Sequence, residues 1–262
     1  MADDDTKKLP DRRPQDDGLW EGLRGLTAAR IGLKRAGASL ATGPLLEFQL
    51  AHARARDAVH APLDEVRLAA DLAGLGLKTL NVASAAEDRQ RYLMRPDLGR
   101  ILTPDAQATL TPHRGKYDVV FVLTDGLSAL AVQTHAQPLL AGMLPALHTK
   151  GWKIAPLVIV RNGRVGIGDA VATALSASCV AVLIGERPGL TAPDSMGAYL
   201  TWQPNARTTD ADRNCISNIH PEGLRYADAA FRLVHLLNAM RARRISGVQL
   251  KDDSGQLLIG EN

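Results

Sequence analysis

Tyr117-Asp118-Val119-Val120-Phe121-Val122-Leu123 runs apolar and β-branched, then stops at Thr124-Asp125-Gly126. A strand wet on one face alternates polar with apolar; one that stays apolar is covered on both faces, as in parallel sheets layered with helices. Two further runs behave the same way. Residues 154–160 end in Arg161-Asn162-Gly163, and residues 179–184 end in Gly185-Glu186-Arg187-Pro188-Gly189. Between the runs lie helical stretches: one from Ser128, interrupted by Pro138 and Pro145, and one starting at Asp169, read as its N-cap. Residues 198–202 read as a further strand. The last helix covers about 225–243, with Ala227, Phe231, Val234 and Leu237 on one face and His235 out of phase.

Strands alternating with helices give the fold class: α/β, with a parallel-sheet, Rossmann-like C-terminal domain at residues 116–262. Upstream, residues 19–115 read as mainly helical. Leu19, Leu23, Leu26 and Ala29 recur at helical spacing, and Pro44 opens a second, less regular segment with Leu46, Phe48, Leu50 and Ala53. Arg24, Arg30, Lys34, Arg35, Arg54 and Arg56 give this region a basic face, read either as solvated or as a docking surface for an acidic partner. Residues 1–18 read as a disordered tail with too little to bury.

The 262 residues suffice for a proper core, and 45% apolar with 23% charged residues is an ordinary globular balance. Only 4% are aromatic, so Leu, Val, Ile and Ala must build that core. A net charge of +3 does not argue for nucleic acid, and no apolar run approaches the roughly 20 residues of a membrane helix. No secretory signal is evident at the N-terminus, so cytoplasmic residence is expected. Cys179 and Cys215 form neither a disulfide framework nor a zinc cluster.

In an open parallel sheet, ligands sit beyond the carboxyl ends of the strands. Those ends are residues 124–128, 161–165 and 185–190, rich in glycine and polar groups. A dinucleotide fingerprint is absent, because Gly163, Gly166 and Gly168 carry the required spacing reversed, and no phosphate-binding loop of the G-x-x-x-x-G-K-[ST] type occurs. Cys215 and His220 could form a thiol–base pair, or Cys215 could be inert; Cys179 reads as core. No two histidines have the i, i+3 or i+4 spacing of helix-borne metal ligands, so no metal site is expected.

Five stretches in order resemble the small (light) subunit of ethanolamine ammonia-lyase. They are Tyr92-Leu93-Met94-Arg95-Pro96-Asp97-Leu98-Gly99-Arg100, Thr124-Asp125-Gly126-Leu127-Ser128, Gly163-Arg164-Val165, Gly185-Glu186-Arg187-Pro188-Gly189-Leu190, and Arg213-Asn214-Cys215-Ile216-Ser217-Asn218-Ile219-His220. The resemblance spans about residues 18–247, and its last two motifs at this separation are highly specific. It implies a coenzyme B12 enzyme of two subunit types. A large barrel subunit carries the substrate pocket and the radical chemistry; the small subunit closes over adenosylcobalamin at the interface. The reaction converts ethanolamine to acetaldehyde and ammonia, in ethanolamine degradation. The matched cofactor-binding positions are Val165, Glu186 and Cys215, with no catalytic residue in this chain.

The resemblance also implies a large-subunit partner and further copies of the heterodimer, with neither nucleic acid nor membrane. The Asp-x-His-x-x-Gly loop that supplies a protein lower ligand in many B12 proteins is absent, since Ala146 stands two residues before His148. Base-on cobalamin is therefore expected. Long family members carry a leading segment that can direct them into a bacterial microcompartment; residues 1–17 show no amphipathic helix of that kind, which argues against encapsulation. The loop between Gly189 and Arg213 is about one residue shorter than the family's.

Overall fold

In a computed structural model, residues 17–27 and 29–255 are described; the tail read as disordered lies outside them, apart from its last two residues. The chain divides into two compact units, one up to His52 and one from Ala53.

The first unit holds helix α1 (Asp17–Arg24) and a two-stranded hairpin, β1 (Arg35–Ala36) with β2 (Ser39–Leu40). The Trp20 indole packs against the backbone of Gly32, and Arg24 donates to the carbonyls of Ile31 and Gly32. The division falls within α2 (Thr42–His60), which has Pro44 in its first turn, as expected.

The second unit is built on one mixed six-stranded sheet. Its strands are β3 (Thr79–Ala83), β4 (Tyr117–Thr124), β5 (Leu157–Arg161), β6 (Ala177–Gly185), β7 (Met196–Trp202) and β8 (Arg213–Ile219), in the order β3-β5-β4-β6-β7-β8. The first four in that order are parallel; β7 and β8 are antiparallel to their neighbours. The parallel expectation thus holds for one part of the sheet and is corrected for the rest. A parallel neighbour needs a crossover, usually helical, and the short 186–195 connection can only turn back.

Two apolar layers cover the sheet. On one face α3 (Glu65–Leu72), α6 (Ala129–Thr149) and α8 (Tyr226–Arg243) pack on Phe121, Leu123, Ile159, Leu183 and Leu200. On the other, α5 (Pro104–Leu110) and α7 (Ile167–Leu175) pack on Val122, Val158, Val160, Val180 and Val182. The two-sided cover explains why β4 and β6 read as unbroken apolar runs.

Several sequence expectations need correction. β3 lies within the stretch read as helical; at five residues, it is defined by its pairing to β5. β5 starts at Leu157, not at 154: Pro156 has no N–H for the ladder, and Ile154 keeps only a bridge to Val119. α6 runs unbroken through Pro138 and Pro145. The carbonyls those prolines free belong to Thr134 and Ala141, both exposed to water, while Leu139, Leu140, Met143 and Leu147 hold the helix to the sheet. α7 begins at Ile167 with Gly166 as its cap, so Asp169 lies inside the first turn. The buried stripe of α8 is Ala229, Ala230, Leu233, Leu236, Leu237 and Met240; Phe231, read as inward, is 40% exposed.

Candidate functional site

The carboxyl ends of β4, β5 and β6 meet in one place, and their loops are fused. Gly126 (φ +54°) lies so close to β6 that a Cβ there would stand 2.3 Å from the Gly185 oxygen; one on Gly185 would stand 2.0 Å from the Ser128 oxygen. Leu127 N–H donates to Gly185 O at 2.9 Å. The Thr124 hydroxyl accepts from Gly163 N–H at 3.0 Å and donates to Val160 O at 2.7 Å, tying β4 to the loop after β5.

Behind that junction sits a buried charged cluster. Asp125 is 3% exposed, and its Oδ2 lies 3.6 Å from Nη1 of Arg89, at the start of α4 (Arg89–Met94). Burial pushes the Asp125 carboxyl up to about 6, against the pull of Arg89. Arg89 and Arg164 flank the Tyr92 ring, 4.7 and 4.0 Å from its centroid. Arg164 also donates to Tyr92 O (3.0 Å) and, through its own N–H, to Gly99 O (2.7 Å). The motif from Tyr92 to Arg100 is therefore a brace for the Gly163-Arg164-Val165 loop. Three buried polar atoms in this brace, Arg89 Nη2, Tyr92 Oη and Arg164 Nε, have no hydrogen-bond partner among the described residues.

Val165 follows β5 and packs, half-buried, on the α5–α7 side of the sheet, against the same apolar cluster as Tyr199. Just after it, the α7 backbone at Gly168 presses on Val182 of β6. Val182 pairs with Tyr199 of β7, and Tyr199 with Cys215 of β8. Facing residues of paired strands share a sheet face, so these side chains form one row leading outward from α7. The row ends in the open: Cys215 and Ser217 are exposed, whereas Ile216, on the opposite face, is buried under α8. Arg213, on the same face as Cys215, grips Asp169 of α7 with two bonds of 2.8 and 2.6 Å and reaches Thr201 at 3.0 Å. A groove of about 660 Å³ runs beside this link, lined by Arg100, Gly166, Asp169, Thr173 and Arg213 among others.

Glu186 joins the row from the end of β6. Its Oε2 accepts from the Ser195 hydroxyl at 2.7 Å and from Asn218 N–H at 3.1 Å; among the described residues no donor claims Oε1. Its charge reaches both Tyr199 and Cys215. Tyr199 and Cys215 are neighbours across β7 and β8, and burial pushes the ionisation of both upward, with Glu186 adding to it.

That electrostatic setting speaks against a thiolate. His220 is not its base either: Nε2 is bonded to Asn218 Oδ1 at 2.9 Å. Cys215 and Ile219, the last residue of β8, are separated by roughly 13 Å of extended strand, before His220 is reached. His148 lies exposed in the last turn of α6. Among the described residues no group of three or more His, Cys, Asp or Glu could hold a metal ion.

The family model described as ethanolamine ammonia-lyase light chain (EutC) matches residues 17–251. The chain belongs to that family. Ethanolamine ammonia-lyase small subunit of Azotobacter vinelandii is 50% identical over 250 residues, covering 94% of this chain and 93% of the relative. The Ralstonia nicotianae protein of the same name is 51% identical over 253 residues, with 95% and 92% covered. That of Pseudomonas putida is 50% identical over 247 residues, with 93% and 91% covered. By class, ethanolamine ammonia-lyase light chains are subunits of a lyase. The resemblance stated from the five motifs is thereby established across nearly the whole chain. Reading the sequence missed Tyr199 and the Asp169–Arg213 link, because only the pairing of β7 with β8 and the packing of α7 bring those residues beside Cys215.

Proposed function

We propose that this chain is the cofactor-contacting subunit of an adenosylcobalamin-dependent ethanolamine ammonia-lyase, acting with a large catalytic subunit in ethanolamine degradation. The observation that carries the reading is the half-held carboxylate of Glu186 beside Cys215 on a sheet face left open by the helices. Cobalamin is a flat macrocycle edged with amide groups. An open face with a small exposed thiol suits its surface, and the unclaimed Glu186 Oε1 suits an amide N–H. The unpartnered donors of Arg89, Tyr92 and Arg164 sit behind Val165, where amide carbonyls or a phosphate would be welcome neighbours. When bound, adenosylcobalamin supplies the radical that starts the conversion of ethanolamine to acetaldehyde and ammonia.

This chain's own part is binding and enclosure. Val165 offers an apolar edge, Glu186 accepts hydrogen bonds, and Cys215 packs; none of the three takes part in bond-breaking. With Ala146 in place of an aspartate and His148 on a helix turn, no histidine loop is built to replace the cofactor's own base, so cobalamin stays base-on. Leu19, Leu26, Leu46 and Leu50, all more than half exposed, offer a surface for the large subunit. Further copies of the heterodimer complete the assembly. A cytoplasmic location is proposed, with a bacterial microcompartment as the family's alternative. No described helix is long and apolar enough to cross a membrane.

The test is reconstitution. Turnover of ethanolamine should require this chain, the large subunit and adenosylcobalamin together, with loss on omitting any one. Turnover by this chain and cofactor alone would overturn the reading. An optical spectrum of histidine-ligated, base-off cobalamin in the complex would overturn its base-on part.

A further inference from the structure

We propose that His135 is a positioning residue that latches the 186–195 loop onto α6 and thereby aims Glu186. The inference rests on Glu186 being a cofactor contact. His135 lies two turns into α6 and is 1% exposed. Its Nδ1 is 2.7 Å from the Tyr226 hydroxyl at the start of α8. Its Nε2 is buried and faces Asp194 Oδ2 at 3.5 Å. The groups facing the imidazole are Asp194 from the loop, Tyr226 from α8 and, further off, His220 after β8. Burial holds the imidazole below its ordinary range, so it is neutral at neutral pH and carries one proton. A carboxylate opposite Nε2 selects the tautomer with that proton on Nε2, and the Tyr226 hydroxyl then donates to Nδ1.

The latch acts through a short chain of contacts. Ser128, the N-cap residue of α6, donates to Pro193 O at 3.0 Å, and His135 faces the next residue, Asp194. Ser195 follows, with its carbonyl on Glu186 N–H (3.0 Å) and its hydroxyl on Glu186 Oε2 (2.7 Å). Anchoring residues 193–194 therefore fixes Ser195, and Ser195 fixes the carboxylate. At the tip of the loop the Gly189 N–H donates to Ala192 O at 3.0 Å.

Hydrogen–deuterium exchange of the cofactor-free full chain tests the latch. Asp194→Ala alters a loop side chain only a third exposed and outside the core, so folding is preserved; His135→Leu removes the other half. Both should speed exchange of the Glu186 amide, which donates to Ser195 O, by about tenfold or more, with the amides in the middle of β6 unchanged. His135→Gln, which restores a donor toward Asp194, should recover most of the protection. Unchanged exchange in Asp194→Ala overturns the latch. In the complex with the large subunit, Asp194→Ala should also weaken cobalamin binding by about threefold to tenfold. If the loop loosens and Glu186→Ala weakens cobalamin while Asp194→Ala does not, the positioning role is overturned and the cofactor reading stands. If Glu186→Ala has no effect on cobalamin, the cofactor reading fails and the positioning role falls with it.

Discussion

Arg213 of β8 and Asp169 of α7 face each other as a planar, two-bond pair, with N···O distances of 2.8 and 2.6 Å and side chains 4% and 15% exposed. The pair ties the outermost strand, which carries Cys215, to the helix that follows Val165. Such a fork is specific to arginine. Removing one partner of a buried pair strands the other without water or counter-charge. Arg213→Ala should therefore destabilise the chain by about 3–5 kcal/mol in urea unfolding, and Arg213→Lys should recover less than half of that loss. Equal stability of Arg213→Lys and wild type would show that the fork geometry is irrelevant.

Gly185 is where the 124–128 loop meets β6, and the atoms around it are backbone. A Cβ there would meet the oxygens of Ser128 and Asp125 at 2.0 and 2.6 Å, and neither can swing aside as a side-chain tip could. Gly185→Ala should cost about 3 kcal/mol or more, measured by thermal or urea unfolding.

Asp125 gives the fold a pH signature. Its folded value, about 6, lies above the ordinary 3.8, so the protonated form is favoured by folding. The stability it contributes is complete below about pH 4 and is lost as pH rises through 6. Asp125→Asn carries no titrating proton. The stability of wild type relative to this variant should fall by on the order of 1–3 kcal/mol between pH 4 and pH 7. The constant offset from leaving Arg89 without its carboxylate does not change over that window, so the slope is the measurement. Parallel pH profiles of the two proteins would contradict it.

The parts of this fold that sequence revealed are those whose signal is local. β4 and β6 are apolar on both faces, so the runs 117–123 and 179–184 suffice to recognise them. The carboxyl-end loops followed from those strands, and the family motifs marked Val165, Glu186 and Cys215. β8 escaped because only Ile216 and Ile219 of its residues are buried, and its polar side chains read as a loop. The Asp169–Arg213 fork and the contact of His135 with Tyr226 join residues 44 and 91 positions apart. Nothing in either segment alone implies the other; the antiparallel turn from β6 to β7 and the packing of α8 on α6 create both.

Cys215 should behave as a packing group. Burial and Glu186 raise its thiol, so alkylation by iodoacetamide at pH 7 should run about tenfold slower than for an unperturbed cysteine. Cys215→Ser should keep turnover of the reconstituted enzyme within about threefold of wild type, as expected for a group outside the chemistry. Loss of all activity in Cys215→Ser would restore a chemical role for the thiol.

Equilibrium binding of adenosylcobalamin to the two-subunit complex, with wild type and with Glu186→Ala, tests the account most directly. Size-exclusion chromatography shows first that the variant still joins the large subunit. The expected result is an intact complex that binds cobalamin about tenfold or more weakly, the size of one lost hydrogen bond to a charged group. An intact complex with unchanged cobalamin affinity would contradict a cofactor site built from this face of the chain.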